Sequence, residues 1–122
     1  MYKLAHLALV VKDCERSADF YQQVLGCSVI DRLVNDTLKI IYLQSGNMTI
    51  ELLEYITPPP ASRSAGVYDH LAFTVSDLLA AVVSLKEQGI AFESDNPRLT
   101  MNGKKIIFFS GPDGERIELM EA

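Results

Sequence analysis

The chain carries two histidines, His6 and His70, and they sit in stretches that read alike. Ala5-His6-Leu7-Ala8-Leu9-Val10-Val11-Lys12-Asp13 matches Asp69-His70-Leu71-Ala72-Phe73-Thr74-Val75-Ser76-Asp77. Two glutamates recur in the same way: Ile50-Glu51-Leu52-Leu53-Glu54 matches Ile117-Glu118-Leu119-Met120-Glu121. The histidines lie 64 positions apart and the glutamates 67, so the second copy holds a small insertion. Alone, a strand histidine is usually a hydrogen-bonded packing residue, and a strand glutamate a solvated one. Two of each in matched places make a donor set instead. Two imidazoles and two carboxylates suit a divalent metal such as Zn²⁺, Ni²⁺, Co²⁺, Fe²⁺ or Mn²⁺, with positions left for water or substrate.

Such a set needs strands to aim it. Side chains alternate along a strand, so His6, Ala8 and Val10 oppose Leu7, Leu9 and Val11. His70, Ala72 and Thr74 likewise oppose Leu71, Phe73 and Val75. In the later strands Glu51 and Leu53 oppose Ile50 and Leu52, while Glu118 and Met120 oppose Ile117 and Leu119. The bulky sets should pack under helices, which leaves His6, Glu51, His70 and Glu118 on the uncovered faces. Their neighbours Ala8, Val10, Leu53, Ala72 and Met120 predict a mostly apolar wall, with Thr74 as a hydrogen-bond donor.

The helices are legible from their ends. Asp13 and Asp77 stand at N-cap positions, and Gly26 and Gly89 where helices commonly end left-handed. Between them Cys14–Leu25 and Leu78–Gln88 carry apolar residues at helical spacing: Ala18, Tyr21 and Leu25 in the first, Leu78, Val82 and Leu85 in the second. Strands are predicted at Leu4–Val11, Ser28–Leu33, Thr37–Gln44 and Met48–Tyr55. The second set is His70–Val75, Ala91–Ser94, Lys104–Ser110 and Arg116–Met120. The fold class is therefore α+β, a βαβββ order used twice, with residues 1–56 and 67–122 as modules. Residues 57–66, rich in proline, form the linker.

Composition narrows the function classes. A chain of 122 residues with 48% hydrophobic and 22% charged residues is ordinary for one folded domain. Its net charge of −5 argues against nucleic acid as a partner. No apolar run approaches the roughly 18 residues of a membrane span. The opening lacks a basic-then-apolar signal, and Cys14 and Cys27 do not make a disulfide framework, which together predict a cytoplasmic protein. Both cysteines read as structural. Tyr42, Tyr55 and Tyr68 read as core or interface residues, with Tyr68 also placed for a pocket edge. Arg98, Lys104 and Lys105 are candidates for gripping an acidic substrate group, and Arg32 for reaching the same cavity.

These residues resemble the vicinal oxygen chelate superfamily, which includes glyoxalase I, methylmalonyl-CoA epimerase, extradiol dioxygenases and the bleomycin- and fosfomycin-resistance proteins. The resemblance runs through His6–Asp13, Glu15-Arg16-Ser17-Ala18-Asp19-Phe20-Tyr21, Val24-Leu25-Gly26, Asp69–Phe73 and Pro112–Leu119. It implies paired βαβββ modules forming a cupped mixed sheet around a divalent metal. His6, Glu51, His70 and Glu118 match the His, Glu, His, Glu of glyoxalase I; the epimerase typically has Gln in the second place. Val10 stands where bacterial glyoxalase I enzymes carry an arginine, and only Asn102-Gly103-Lys104 matches their Gly-rich loop.

By this resemblance the chain is expected to be a glyoxalase I-like lyase or isomerase. It would act on a hemithioacetal or related thiol adduct through an enediolate intermediate. Glu118 is expected as the base and Glu51 as ligand or partner. A methylmalonyl-CoA epimerase-like isomerase and a non-catalytic antibiotic-binding protein are the alternatives. The resemblance also implies a small-molecule substrate and a homodimer whose sites combine His6 and Glu51 of one chain with His70 and Glu118 of the other.

Overall fold

A computed structural model of the chain describes residues 5–57, 68, 70–100 and 103–122. The chain divides into two compact units, Met1–Ser62 and Arg63–Ala122. Apart from Thr57, the predicted linker lies outside the described residues, as do Leu4 and Asn102.

The first unit runs β1 (Leu7–Val10), α1 (Cys14–Leu25), β2 (Ser28–Val34), β3 (Leu38–Ser45) and β4 (Met48–Tyr55). Its sheet has the order β1-β4-β3-β2, with β1 parallel to β4 and the other pairs antiparallel. Helix α1 begins where expected. The Asp13 carboxylate accepts from Arg16 N–H at 3.1 Å, satisfying a donor that has no partner inside the helix. Glu54 also acts here: its Oε1 accepts from Cys14 N–H at 2.9 Å. The helix ends at Gly26, whose φ of 71° lies in the left-handed region that a side chain disfavours. Cys14, Ser17, Ala18 and Tyr21 form its buried face, and Ile41, Leu43, Ile50 and Leu52 are the buried sheet residues it covers. Removing these apolar groups from water, at about 25 cal/mol per Å², holds helix to sheet.

The second unit repeats the plan with β5 (Leu71–Val75), α2 (Leu78–Glu87), β6 (Arg98–Leu99), β7 (Lys105–Ser110) and β8 (Arg116–Glu121). The order is β5-β8-β7-β6, again with the first strand parallel to the last. Asp77 caps α2 by accepting from Ala80 N–H at 3.0 Å. Leu78, Val82 and Leu85 are buried, as are Ile107, Phe109, Ile117 and Leu119 on the sheet.

One predicted strand is displaced. Ala91–Ser94 makes only a single bridge, Phe92 to Phe109, and the paired strand is β6 at Arg98–Leu99. Between them Ser94 Oγ donates to Asn96 O at 2.9 Å, and Pro97 has no N–H to give a ladder. The chain therefore leaves the sheet and rejoins it. This excursion, together with a five-residue turn at 111–115 in place of Gly46-Asn47, lengthens the second module.

Among the described residues no helix is long and apolar enough to cross a membrane. Both cysteines are buried and free. The Cys14 thiol faces Leu52 O at 3.5 Å and Lys39 O at 3.6 Å, and burial, reinforced by the Glu54 charge, pushes its pKa up to about 11. Burial also raises that of Cys27. Alkylation of native protein at pH 7.5 should therefore be slow at both thiols and rapid after denaturation; mass spectrometry of iodoacetamide-treated protein reads this. A thiol that stays protonated in the fold but ionises in the unfolded chain costs nothing below pH 9, then subtracts stability as pH rises toward 11.

Candidate metal centre

Each unit builds half of the predicted donor set. In the first, His6 directly precedes β1, and Glu51 lies in β4 opposite Ala8. His6 Nε2 stands 2.8 Å from Glu51 Oε2. In the second, His70 directly precedes β5 and Glu118 lies in β8 opposite Ala72. His70 Nε2 is 3.4 Å from Glu118 Oε2. The structure thus brings together His6 with Glu51 and His70 with Glu118, as two equivalent pairs. Among the described residues no group of three or more His, Cys, Asp and Glu side chains gathers as a metal cluster.

The two glutamates are unusual in being buried, at 9% exposure for Glu51 and 6% for Glu118. Isolated burial of a carboxylate is costly, so such groups persist where a cation or donor meets them. The imidazoles remain accessible, with 43% of the His6 side chain and 33% of the His70 side chain exposed. A buried carboxylate beside a half-open imidazole can hold an ion while leaving an approach from solvent.

An aromatic residue completes each pair. Tyr42 pairs across the sheet with Glu51, and Phe108 with Glu118. His6 meets the Tyr42 ring edge-on at 6.4 Å, and His70 meets Phe108 edge-on at 5.5 Å. Sequence reasoning placed Tyr42 in a core or interface and did not single out Phe108. The cross-strand register would have found both, since each stands opposite a candidate ligand. Tyr55 is half-buried and Tyr68 is exposed.

The predicted apolar wall is only partly closed. Leu53 and Met120 are half-buried, but Ala8, Ala72 and Thr74 are exposed and Val10 is 52% exposed. Arg32 lies on the other face of its sheet. It pairs with Ile41, one step from the Tyr42 face, and its Nε donates to Glu15 at 2.9 Å. That hydrogen bond holds the Glu15 carboxyl below its usual range. Arg98 lies on β6; Lys104 and Lys105 are exposed.

The donor types fit a divalent ion of the first transition row: imidazole nitrogen and carboxylate oxygen, two of each, in matched surroundings. The family model described as the Glyoxalase/Bleomycin resistance protein/Dioxygenase superfamily matches residues 3–119. The mitochondrial methylmalonyl-CoA epimerase of Mus musculus is 32% identical over 98% of this chain and 73% of its own length. The crystal structure of SMU.1112c is similar with a TM-score of 0.82 and 31% identity, covering 99% of both chains. A glyoxalase family protein from Enterococcus faecalis reaches a TM-score of 0.81 at 29% identity, covering 98% of this chain and 97% of its own.

Proposed function

Because the chain belongs to the glyoxalase/bleomycin resistance protein/dioxygenase superfamily, we propose that it is a metal-dependent isomerase or lyase. The reaction is proton transfer at a carbon next to a carbonyl. The observation that carries this reading is the repetition of one buried glutamate beside one accessible histidine in each unit. His6, Glu51, His70 and Glu118 would hold one divalent ion. When bound, that ion would polarise the substrate oxygens and lower the free energy of the enolate or enediolate formed by deprotonation.

The chain's own residues supply the proton movement. Glu118 takes the proton from carbon and returns it, and the Phe108 ring opposite it shields the carboxylate from water. Glu51 acts as ligand and partner in the other unit. Returning the proton to the neighbouring carbon gives the glyoxalase I-type isomerisation of a hemithioacetal; returning it to the other face of the same carbon gives epimerisation. The His, Glu, His, Glu order favours the first. The mouse epimerase, similar over nearly the whole chain, favours the second. A non-catalytic binder would have no need of two buried carboxylates.

Metal-loaded protein should be assayed with methylglyoxal hemithioacetals of several thiols and with methylmalonyl-CoA, each in D₂O. Solvent deuterium should enter the product carbon of at least one substrate. Bound but unchanged substrates, with no deuterium incorporated anywhere in the panel, would contradict the catalytic reading.

The assembly is proposed as a homodimer in the cytoplasm, with each site drawing His6 and Glu51 from one chain and His70 and Glu118 from the other. Inactive His6→Ala and inactive Glu118→Gln chains, mixed under subunit exchange, then have a distinctive outcome. Each mixed dimer places both defects in one site and leaves its second site intact. Equal mixing should restore about a quarter of parent activity, because half the dimers are mixed and each has one working site of two. No recovery despite demonstrated exchange would overturn the shared arrangement.

A further inference from the structure

The face of the second unit that bears His70 and Glu118 also carries two arginines around one ring. Arg98 pairs across the sheet with Ile106, Ile106 with Met120, Phe108 with Glu118, and Ser110 with Arg116. Cross-strand partners share a face, so Arg98, Phe108, Arg116 and Glu118 all stand on one side. The ring contacts agree: the Arg116 guanidinium carbon lies 3.7 Å from the Phe108 centroid and that of Arg98 5.9 Å.

The two arginines differ in what they can still do. Arg116 is held by Glu93 through two bonds, Nε to Oε2 at 3.0 Å and Nη2 to Oε1 at 3.1 Å. Glu93 is itself tied to the sheet, its N–H donating to Phe108 O at 2.9 Å. Arg116 is therefore paired with a carboxylate and held over the ring. Arg98 is exposed, and among the described residues no carboxylate pairs with it, in a chain where acidic residues outnumber basic ones by 16 to 11. Its contact with Phe108 lies near the ~6 Å limit of a cation–π interaction and uses none of its N–H donors.

We propose that Arg98 binds an anionic group, a carboxylate or a phosphate, on the molecule that occupies the His70–Glu118 face. The Glu93–Arg116–Phe108 stack acts as the fixed platform beside it. The inference rests on that face being the substrate site, and it gives the substrate an acidic arm. The planar fork of a guanidinium donates to two oxygens of either anion at once.

The test uses the full chain without metal, so that it reads separately from the metal chemistry. Arginine Nε–H resonances are followed by NMR while malonate or inorganic phosphate is added. At least one anion should shift the Arg98 signal saturably, and that signal is identified by its loss in Arg98→Gln. Arg98→Gln should weaken binding about tenfold or more, as for loss of a charge-assisted pair. Arg98→Lys should keep part of it, and Arg32→Gln, on the opposite face of the other sheet, should leave it unchanged. Response to malonate alone assigns a carboxylate, to phosphate alone a phosphate, and to both an unselective anion grip. No saturable shift with either anion overturns the proposal, as does equal weakening by Arg32→Gln or unchanged affinity in Arg98→Gln. Failure of the metal reading would show instead as no divalent-ion uptake by the parent chain, which these titrations do not depend on.

Discussion

Glu118→Gln should lower turnover by about a thousandfold while the protein keeps its fold and most of its metal. General acid–base groups typically contribute about 10²- to 10⁴-fold, and an amide cannot accept the proton that the carboxylate takes. The substitution is nearly isosteric and keeps an oxygen that can face an ion. Packing around it is therefore conserved: Glu118 is 6% exposed, opposite Phe108 on β7 and Ala72 on β5. Glu51→Gln should lose less, because Glu51 is assigned a holding role rather than the proton. Turnover of both variants on the best substrate, beside their metal content and melting temperature, separates the roles. Parent-like turnover in Glu118→Gln would remove its assignment as base. Equal losses in the two variants would mean that the carboxylates act as a unit rather than with divided roles.

The pairing of histidine with glutamate was legible in the sequence because it depends only on strand parity and on a repeat. Ala8 opposes Glu51 and Ala72 opposes Glu118, so the register places each glutamate beside the strand that its histidine directly precedes. The helix starts were equally legible, since an Asp at the N-cap acts on donors three residues away. What the sequence concealed depends on longer geometry. Ala91–Ser94 has strand-like residues, yet Ser94 bonds locally and Pro97 interrupts the ladder, so pairing resumes only at Arg98. Arg32 changed sides because a register shift between Val29 and Asp31 resets the parity along β2, which no composition reveals. Glu54 resembled any solvated strand glutamate until the fold brought it to the start of α1, 40 residues away in the chain.

The same geometry explains why the two modules, though repeated, are unequal in chemistry. The aromatic beside His6 is a tyrosine and that beside His70 a phenylalanine stacked by Arg116. In the first unit Arg32 pairs with Glu15 at the helix side, whereas the second unit keeps Arg98 on the face of its candidate ligands. An acidic substrate would therefore be oriented by the second unit, where the proposed base also resides.

In the proposed site the two His–Glu pairs together hold one metal ion. Elemental analysis of protein stripped with chelator, reloaded with Ni²⁺, Co²⁺ or Zn²⁺ and freed of excess metal tests this. The parent chain should retain one divalent ion per chain. His6→Ala and His70→Ala should each retain almost none, since removing one imidazole leaves three protein donors split unevenly between the units. Each substitution also takes an imidazole partner from a buried glutamate, so the metal-free melting temperatures of these variants should fall modestly while the chains stay folded. One ion per chain should be retained and be lost with either histidine; a parent that takes up no ion, or histidine variants that hold it as tightly, would rule out a metal site built from both pairs.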